Sequence, residues 1–236
     1  MRDTFLEKKD NKNSLLKKTI LYLCIERGEQ SIASLSEAIG ASVPTATKLI
    51  GELMDEGFMV DMGKSGTSGG RRPSIYGLNP EAGCFIGVDI RNSHVGIAVT
   101  DFKGGLLTFR DGIPFQMEPN EQAVHRIAVS IREFISHENL EWNKIMGIGV
   151  SVTGRVNPVT GYSNSYSFDQ YRSISRILEE DLSIHAVLEN DSRAMTYGEY
   201  LGGGLKEKNM LFVNVSWGLG MGMIMDGHLY YGTYGY

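Results

Sequence analysis

Cysteine is nearly missing: the 236 residues hold only Cys24 and Cys84. Both sit in apolar runs, which predicts buried free thiols rather than a disulfide. No Cys/His cluster has zinc spacing, so no metal site is expected. No apolar run reaches the about 18–20 residues that a bilayer-spanning helix needs. Met1 to Ser14 is polar and charged and lacks the hydrophobic core of a signal peptide. Low-complexity sequence is confined to Gly63–Gly70. These absences argue against a secreted disulfide scaffold and a helical membrane protein, and they predict a cytoplasmic one.

What remains is an ordinary globular composition, 42% hydrophobic and 22% charged, long enough for one large or two modest domains. The net charge of −5 is uneven. Residues 1–79 hold 11 Lys/Arg against 10 Asp/Glu, and residues 80–236 hold 12 against 18. An acidic body disfavours non-specific DNA binding, so any DNA contact must be local to the first segment. A footprint that weak points to two such segments acting together in a dimer or higher homo-oligomer.

Residues 42–73 carry the most information. Ser42 can N-cap a helix, and Pro44 suits its first turn, where the missing N–H costs nothing. Leu49, Ile50, Leu53 and Met54 form one apolar stripe over a helix of residues 42–56, which Gly57 stops. Thr45, Thr47 and Lys48 point from the other face, where small hydroxyls and one Lys can enter a major groove. Upstream, Ser14–Arg27 and Ser31–Ile39 read as helices ended by Gly28 and Gly40. Downstream, about 58–62 and 74–78 read as a hairpin with a basic tip. Three helices and a hairpin make a winged helix-turn-helix. Its expected DNA contacts are Ser42, Thr45, Thr47, Lys48, Lys64, Arg71 and Arg72. A small helical module that binds protein is the competing reading.

Asn79-Pro80-Glu81-Ala82-Gly83 is rich in turn formers and marks a boundary. Strand-like runs follow at Cys84–Ile90, Val95–Asp101 and Leu106–Arg110, with Gly104-Gly105 turning between the last two. Glu121–His137 is an amphipathic helix and Ile145–Val152 a continuous apolar strand. Helices are expected at Ser173–Asp181 and Ser192–Leu201, and strands at His185–Leu188, Met210–Val215, Met221–Asp226 and Leu229–Tyr231. This β-β-β-α-β-α order predicts an α/β, actin-like (ribonuclease H-like) half. The expected division is an arm at 1–13, a DNA-binding domain at 14–79, a first half-domain at 80–207 and the start of a second at 208–236.

Gly87-Val-Asp89-Ile, Gly147-Ile-Gly149-Val-Ser-Val-Thr-Gly154-Arg-Val-Asn157, Glu189-Asn190-Asp191 and Gly218-Leu-Gly220-Met-Gly222 together resemble the ROK family of repressors and sugar kinases. With the winged helix in front, the chain resembles its transcriptional branch. The resemblance implies that the Asn190-Asp191 pair binds sugar, and that in a kinase Asp191 is the general base. From the residues alone, Asp191 or its neighbour equally caps the following helix. Gly154, Arg155 and Asn157 match a turn that lines the family's sugar site, and a plain surface turn is the competing reading.

The nucleotide motifs depart from the family. Its kinases carry an Asp-x-Gly-Gly-Thr turn, whose glycines let backbone N–H groups reach phosphate. Here the run is Asp89-Ile90-Arg91-Asn92-Ser93-His94. In the second phosphate loop Trp217 replaces a small hydroxyl residue, and Gly218, Gly220 and Gly222 serve phosphate or close packing alike. ATP use is not expected, and neither is a cofactor. The family's Ala-Gly-Glu-x-Gly-His segment and zinc cluster do not follow, so a truncated chain or fragment with an incomplete second half-domain is expected. Tyr230, Tyr231, Tyr234 and Tyr236 are expected as core or interface residues. The expected function is a sugar-responsive repressor with a double-stranded DNA operator and a sugar or sugar phosphate effector. The alternative is an ATP-dependent sugar kinase.

Overall fold

Asn11 caps the first helix in the computed structural model, which describes residues 11–64, 73–166, 172–203, 207–216 and 218–233. Its side chain accepts from the Ser14 N–H while Ser14 Oγ takes the Asn11 N–H, a reciprocal cap. Helix α1 therefore runs Lys12–Arg27, two residues longer than the sequence pattern predicts. Gly28, at φ 71°, ends it in a conformation that a side chain would strain.

The chain divides into two compact units. The first runs to Cys84 and takes in Asp101–Gly105, and the second holds Phe85–Thr100 and the chain from Leu106 on. In the first, α1 is followed by β1 (Gln30–Ser31), α2 (Ile32–Ala38), α3 (Val43–Asp55), β2 (Met59–Lys64) and β3 (Ser74–Leu78). The strands form an antiparallel sheet in the order β1-β3-β2. Strand β1 is not visible in the sequence, because two residues carry no periodicity. Gly57, at φ 82°, turns the chain out of α3. Ile20, Leu23, Leu35, Leu49, Ile50 and Leu53 are buried together as the core, each contributing roughly 1.5–3 kcal/mol. Phe102 lies in this unit, its ring centroid 5.5 Å from that of Phe58. Cys24 and Cys84 are buried and form no disulfide.

The second unit is mixed α/β. Its elements are β4 (Cys84–Ile90), β5 (His94–Asp101), β6 (Leu106–Pro114), α4 (Glu121–His137), β7 (Ile145–Val152), β8 (Val156–Asn157), β9 (Tyr162–Ser163), α5 (Ile174–Leu182), β10 (Ala186–Asn190), α6 (Asp191–Gly202), β11 (Met210–Val215), β12 (Leu219–Met225) and β13 (His228–Leu229). Five strands pair in the order β10-β7-β4-β5-β6. Strand alternation sends Ile86, Val88 and Ile90 inward while Phe85 and Gly87 stay exposed. Helix α4 buries Val124, Ile127, Ile131 and Phe134 and packs against α5, where His125 Nδ1 lies 2.5 Å from Asp181 Oδ2. Strands β11, β12 and β13 form a separate antiparallel sheet that packs on α6. The β8–β9 hairpin was not expected. It presents the Gly154–Arg155 turn at the C-terminal end of β7.

Candidate functional site

Two surfaces hold the residues of interest, one in each unit. In the first unit Ser42 caps α3: its Oγ accepts from the Thr45 N–H at 3.3 Å and lies 2.9 Å from Thr45 Oγ1. Thr47 Oγ1 donates back to the Val43 carbonyl at 2.8 Å, inside the helix. Thr47 and Lys48 are exposed, Thr45 is half-buried, and Lys48 Nζ lies 3.8 Å from Glu52 Oε1. The apolar stripe of α3 is buried at Ala46, Leu49, Ile50 and Leu53. This leaves the Thr47–Lys48 side facing solvent. Val43 is 53% exposed beside them. Lys64 is exposed at the end of β2. Arg71 and Arg72 lie outside the described residues.

In the second unit a cavity of about 920 Å³ opens at the N-terminus of α6. Gly154, Arg155, Asn190 and Asp191 line it together, and Asn157 does not. Asn190 is the N-cap. Its Oδ1 accepts from the Arg193 N–H at 3.0 Å, and its Nδ2 donates to the Gly154 carbonyl at 2.9 Å and to Asp191 Oδ1 at 2.8 Å. Asp191 Oδ1 also accepts from the Ser192 N–H at 2.7 Å. One residue thus caps the helix and fixes its neighbour's carboxylate at the positive end of the helix dipole. Gly154 stands at φ 99°, and a Cβ there would lie 2.1 Å from Ser165 Oγ, so only glycine fits. Asn157 Oδ1 instead accepts from the Val159 and Thr160 N–H groups at 3.0 and 3.2 Å, closing the β8–β9 turn.

The electrostatics are largely paired. Arg193, 7% exposed in its side chain, holds Glu189 Oε1 at 2.6 Å and the Val156 carbonyl at 2.7 Å. Burial, and then the charge of Asp191, push the Tyr166 phenol up from its ordinary value. At the end of β4, Asp89 accepts from Ser151 Oγ at 2.7 Å and from Arg91 Nε at 2.6 Å. Arg91 Nη1 also lies 3.5 Å from Asp111 Oδ2. Burial opposes the Arg91 charge, but Asp89 and Asp111 outweigh it and the guanidinium is held more firmly charged than usual. The missing glycines of the 89–94 turn were legible in the sequence. That Arg91 folds back onto Asp89 was not.

The glycines of β12 serve packing. A Cβ on Gly220 would lie 2.0 Å from Ser192 Oγ, and one on Gly222 would lie 2.8 Å from Thr196 Cβ and 3.1 Å from the Ser192 carbonyl. Strand β12 therefore lies against the first turns of α6. Trp217 lies outside the described residues. Tyr230 and Tyr231 also line the cavity, a role that their loop position did not signal. Among the described residues no group of three or more His, Cys, Asp or Glu could hold a metal ion, and no helix is long and apolar enough to cross a membrane.

Residues 85–236 match the ROK family. The xylose repressor of Bacillus subtilis (strain 168) is 29% identical over 242 residues, covering 99% of this chain and 60% of the repressor. A glucokinase of Streptomyces coelicolor is 28% identical over 158 residues, covering 65% of this chain and 47% of the kinase. Among solved structures, a ROK family transcriptional regulator described as a homolog of the E. coli MLC protein superposes with a TM-score of 0.75 at 19% identity. That match covers 94% of this chain and 57% of the regulator. The likeness is one of fold, mixed α/β of the ROK sugar-kinase type. The chain spans 60% of the length of the xylose repressor that it matches.

Proposed function

The chain belongs to the ROK family, and from that premise we propose that it is a sugar-responsive, DNA-binding transcriptional regulator that represses carbohydrate-utilisation genes. The first unit is then a winged helix-turn-helix, with α3 as the recognition helix and β2 and β3 as the wing. Thr47 and Lys48 meet base edges and phosphates, Ser42 and Thr45 hold the entry turn against the backbone, and Lys64, Arg71 and Arg72 carry the wing. The partner is a double-stranded operator, bound by two copies of this chain or more.

The second unit is the sensor. Asp191 accepts a sugar hydroxyl, Asn190 fixes its carboxylate, and Gly154 and Arg155 form the facing turn, whose shape Asn157 sets. A sugar or sugar phosphate bound there shifts the balance between two arrangements of paired DNA-binding units, and so changes operator affinity. The observation that carries the reading is a solvent-facing, Ser42-capped helix on the same chain as a ROK domain in which Arg91 neutralises Asp89. A guanidinium at that turn occupies ground where a kinase needs bare backbone N–H groups for phosphate. The second reading is an ATP-dependent sugar kinase with Asp191 as base, favoured by the place of Asp191 on the cavity wall and by the likeness to a glucokinase.

The test is a salt titration of the purified protein on its own upstream DNA, with and without pentoses, hexoses and N-acetylhexosamines. A coupled ADP-release assay runs beside it. The expected result is specific, salt-sensitive binding that one sugar relieves, with no sugar-dependent ADP release. Turnover of ATP replaces the regulator with the kinase. Binding no tighter than to random DNA removes the regulator altogether.

A further inference from the structure

Tyr231 shares the cavity with Asn190 and Asp191, and its ring is held in place. The Arg193 guanidinium carbon lies 5.3 Å from its ring centroid. Arg193 itself is anchored by Glu189 and the Val156 carbonyl and is 7% exposed in its side chain. The ring therefore rests on a cation fixed by β10 and the β8–β9 hairpin. Tyr231 is nonetheless 41% exposed and lines the void. Burial, and then Glu189, raise the phenol above its ordinary value, so it stays neutral.

A pyranose carries hydroxyls around its rim and C–H groups on its faces. The rim needs polar partners and the faces need an apolar plane. The cavity supplies both, with Asp191, Arg155 and Tyr231 all on its wall. A phosphate group would fare worse there. Arg91 is matched by Asp89 and Arg193 by Glu189, and Arg155 shares the wall with the negative charge of Asp191.

We propose that Tyr231 is the stacking platform for the C–H face of an unphosphorylated pyranose effector, and so determines which sugars the site takes. The proposal rests on the reading of this cavity as the sugar site. It is tested by titration calorimetry of the intact protein and of Tyr231→Ala, Tyr231→Leu, Tyr231→Phe and Tyr230→Ala. The ligands are D-xylose, D-glucose, D-galactose, N-acetyl-D-glucosamine and D-glucose 6-phosphate. Saturation-transfer NMR from the aromatic protons to the sugar C–H groups accompanies it.

One neutral sugar is expected to bind. Tyr231→Ala and Tyr231→Leu should weaken it about three- to tenfold and abolish the transfer to one sugar face. Tyr231→Phe should stay within about twofold of the parent, because the ring and not the hydroxyl makes the contact. A purely structural Tyr231 would leave the transfer pattern of the residual complex intact. Sugar binding untouched by Tyr231→Ala, or lost in Tyr230→Ala instead, overturns the stacking while leaving the sugar site standing. Binding of the 6-phosphate alone also overturns it. No sugar bound by the parent protein overturns the stacking and the sugar site together.

Discussion

Lys17 Nζ lies 2.7 Å from Glu56 Oε1, and this ion pair ties α1 to the end of α3. Glu52, one turn earlier on α3, reaches the same ammonium at 2.9 Å. Lys17 is 7% exposed in its side chain and its two partners 36% and 39%. The proposed recognition helix thus takes its seating from a buried cation as well as from its apolar stripe.

Lys17→Met keeps the methylene stem but strands two half-exposed carboxylates side by side. The expected loss is about 1–2 kcal/mol of unfolding free energy, below the cost of breaking a fully buried pair. Burial alone would lower the Lys17 pKa, but the hydrogen bonds to Glu56 and Glu52 raise it above 10.5. A raised folded value means that the contribution is fully present below the unfolded pKa and is lost as pH rises through the folded one. Urea unfolding between pH 7 and 11 should therefore show parent and variant converging at the alkaline end. A constant difference across that range would mean that the charge is not what Lys17 contributes.

Gly222 in β12 is expected to resist replacement, whereas Gly149 in β7 is expected to tolerate it. Gly222→Ala drives a Cβ into Thr196 and the Ser192 carbonyl, at 2.8 and 3.1 Å. The α6 backbone must yield, at about 1–3 kcal/mol. Gly149→Ala in β7 meets nothing within 4 Å and should cost little. Thermal melts of the two variants settle the matter, and equal melting points would mean that β12 does not pack as described.

The sequence pattern placed several elements to the residue, though not α1 or β6. Glu121–His137, Ile145–Val152, Cys84–Ile90 and Met210–Val215 have the expected ends, because each is a run of clear period bounded by turn formers or caps. Strands β1, β8 and β9 have two residues each, too few for a period, and their pairing is a tertiary fact. The turn at Gly104-Gly105 was legible, but not that Phe102 within it packs on Phe58, 44 positions away. Asn190 and Asp191 were placed at a strand end and helix start, and both the cap and the cavity are there. Tyr231 was expected as a core or interface residue, and its place on the cavity wall beside Arg193 is a tertiary fact. Arg91 was read only as part of a turn without glycine, and its pairing with Asp89 is a fold-back over two residues that no periodicity encodes.

Neither thiol should react while the protein is folded. Burial, and then the charge of Glu29, push Cys24 up to about 11, so at pH 8 roughly a thousandth of it is thiolate. Cys84 is 6% exposed. A disulfide-exchange reagent at pH 8 should titrate no thiol rapidly in the native protein and two after unfolding in urea. One equivalent reacting at once in the native state would show that a cysteine is open to solvent.

On the DNA side, each lysine or arginine that meets phosphate should leave its mark on the salt dependence. Lys48→Ala should flatten the plot of log K against log salt by about 0.9. Arg71→Ala with Arg72→Ala should flatten it by about 1–2 and weaken binding to specific and random DNA alike. An unchanged slope in the double variant would take the wing out of the interface. An unchanged slope in Lys48→Ala would mean that its ammonium stays with Glu52 at 3.8 Å rather than turning to the duplex.

Asp191 and Asn190 should separate sensing from stability. Asp191→Asn keeps Oδ1 as acceptor for the Ser192 N–H but removes the charge and turns the other oxygen into an NH2 donor. Hydrogen bonds to a charged group are worth about 1.5–3 kcal/mol, so sugar affinity should fall by about tenfold or more while sugar-free operator affinity stays within about twofold. Asn190→Ala removes the cap on the Arg193 N–H and the bond to the Gly154 carbonyl. It should lower both sugar affinity and unfolding free energy, the latter by about 1 kcal/mol. The measurements are operator gel shifts with and without the effector, and urea unfolding of each variant. If Asp191→Asn responds to sugar as the parent does, the carboxylate at the start of α6 is a helix-end charge and nothing more, and the sensor must be sought elsewhere on the cavity wall.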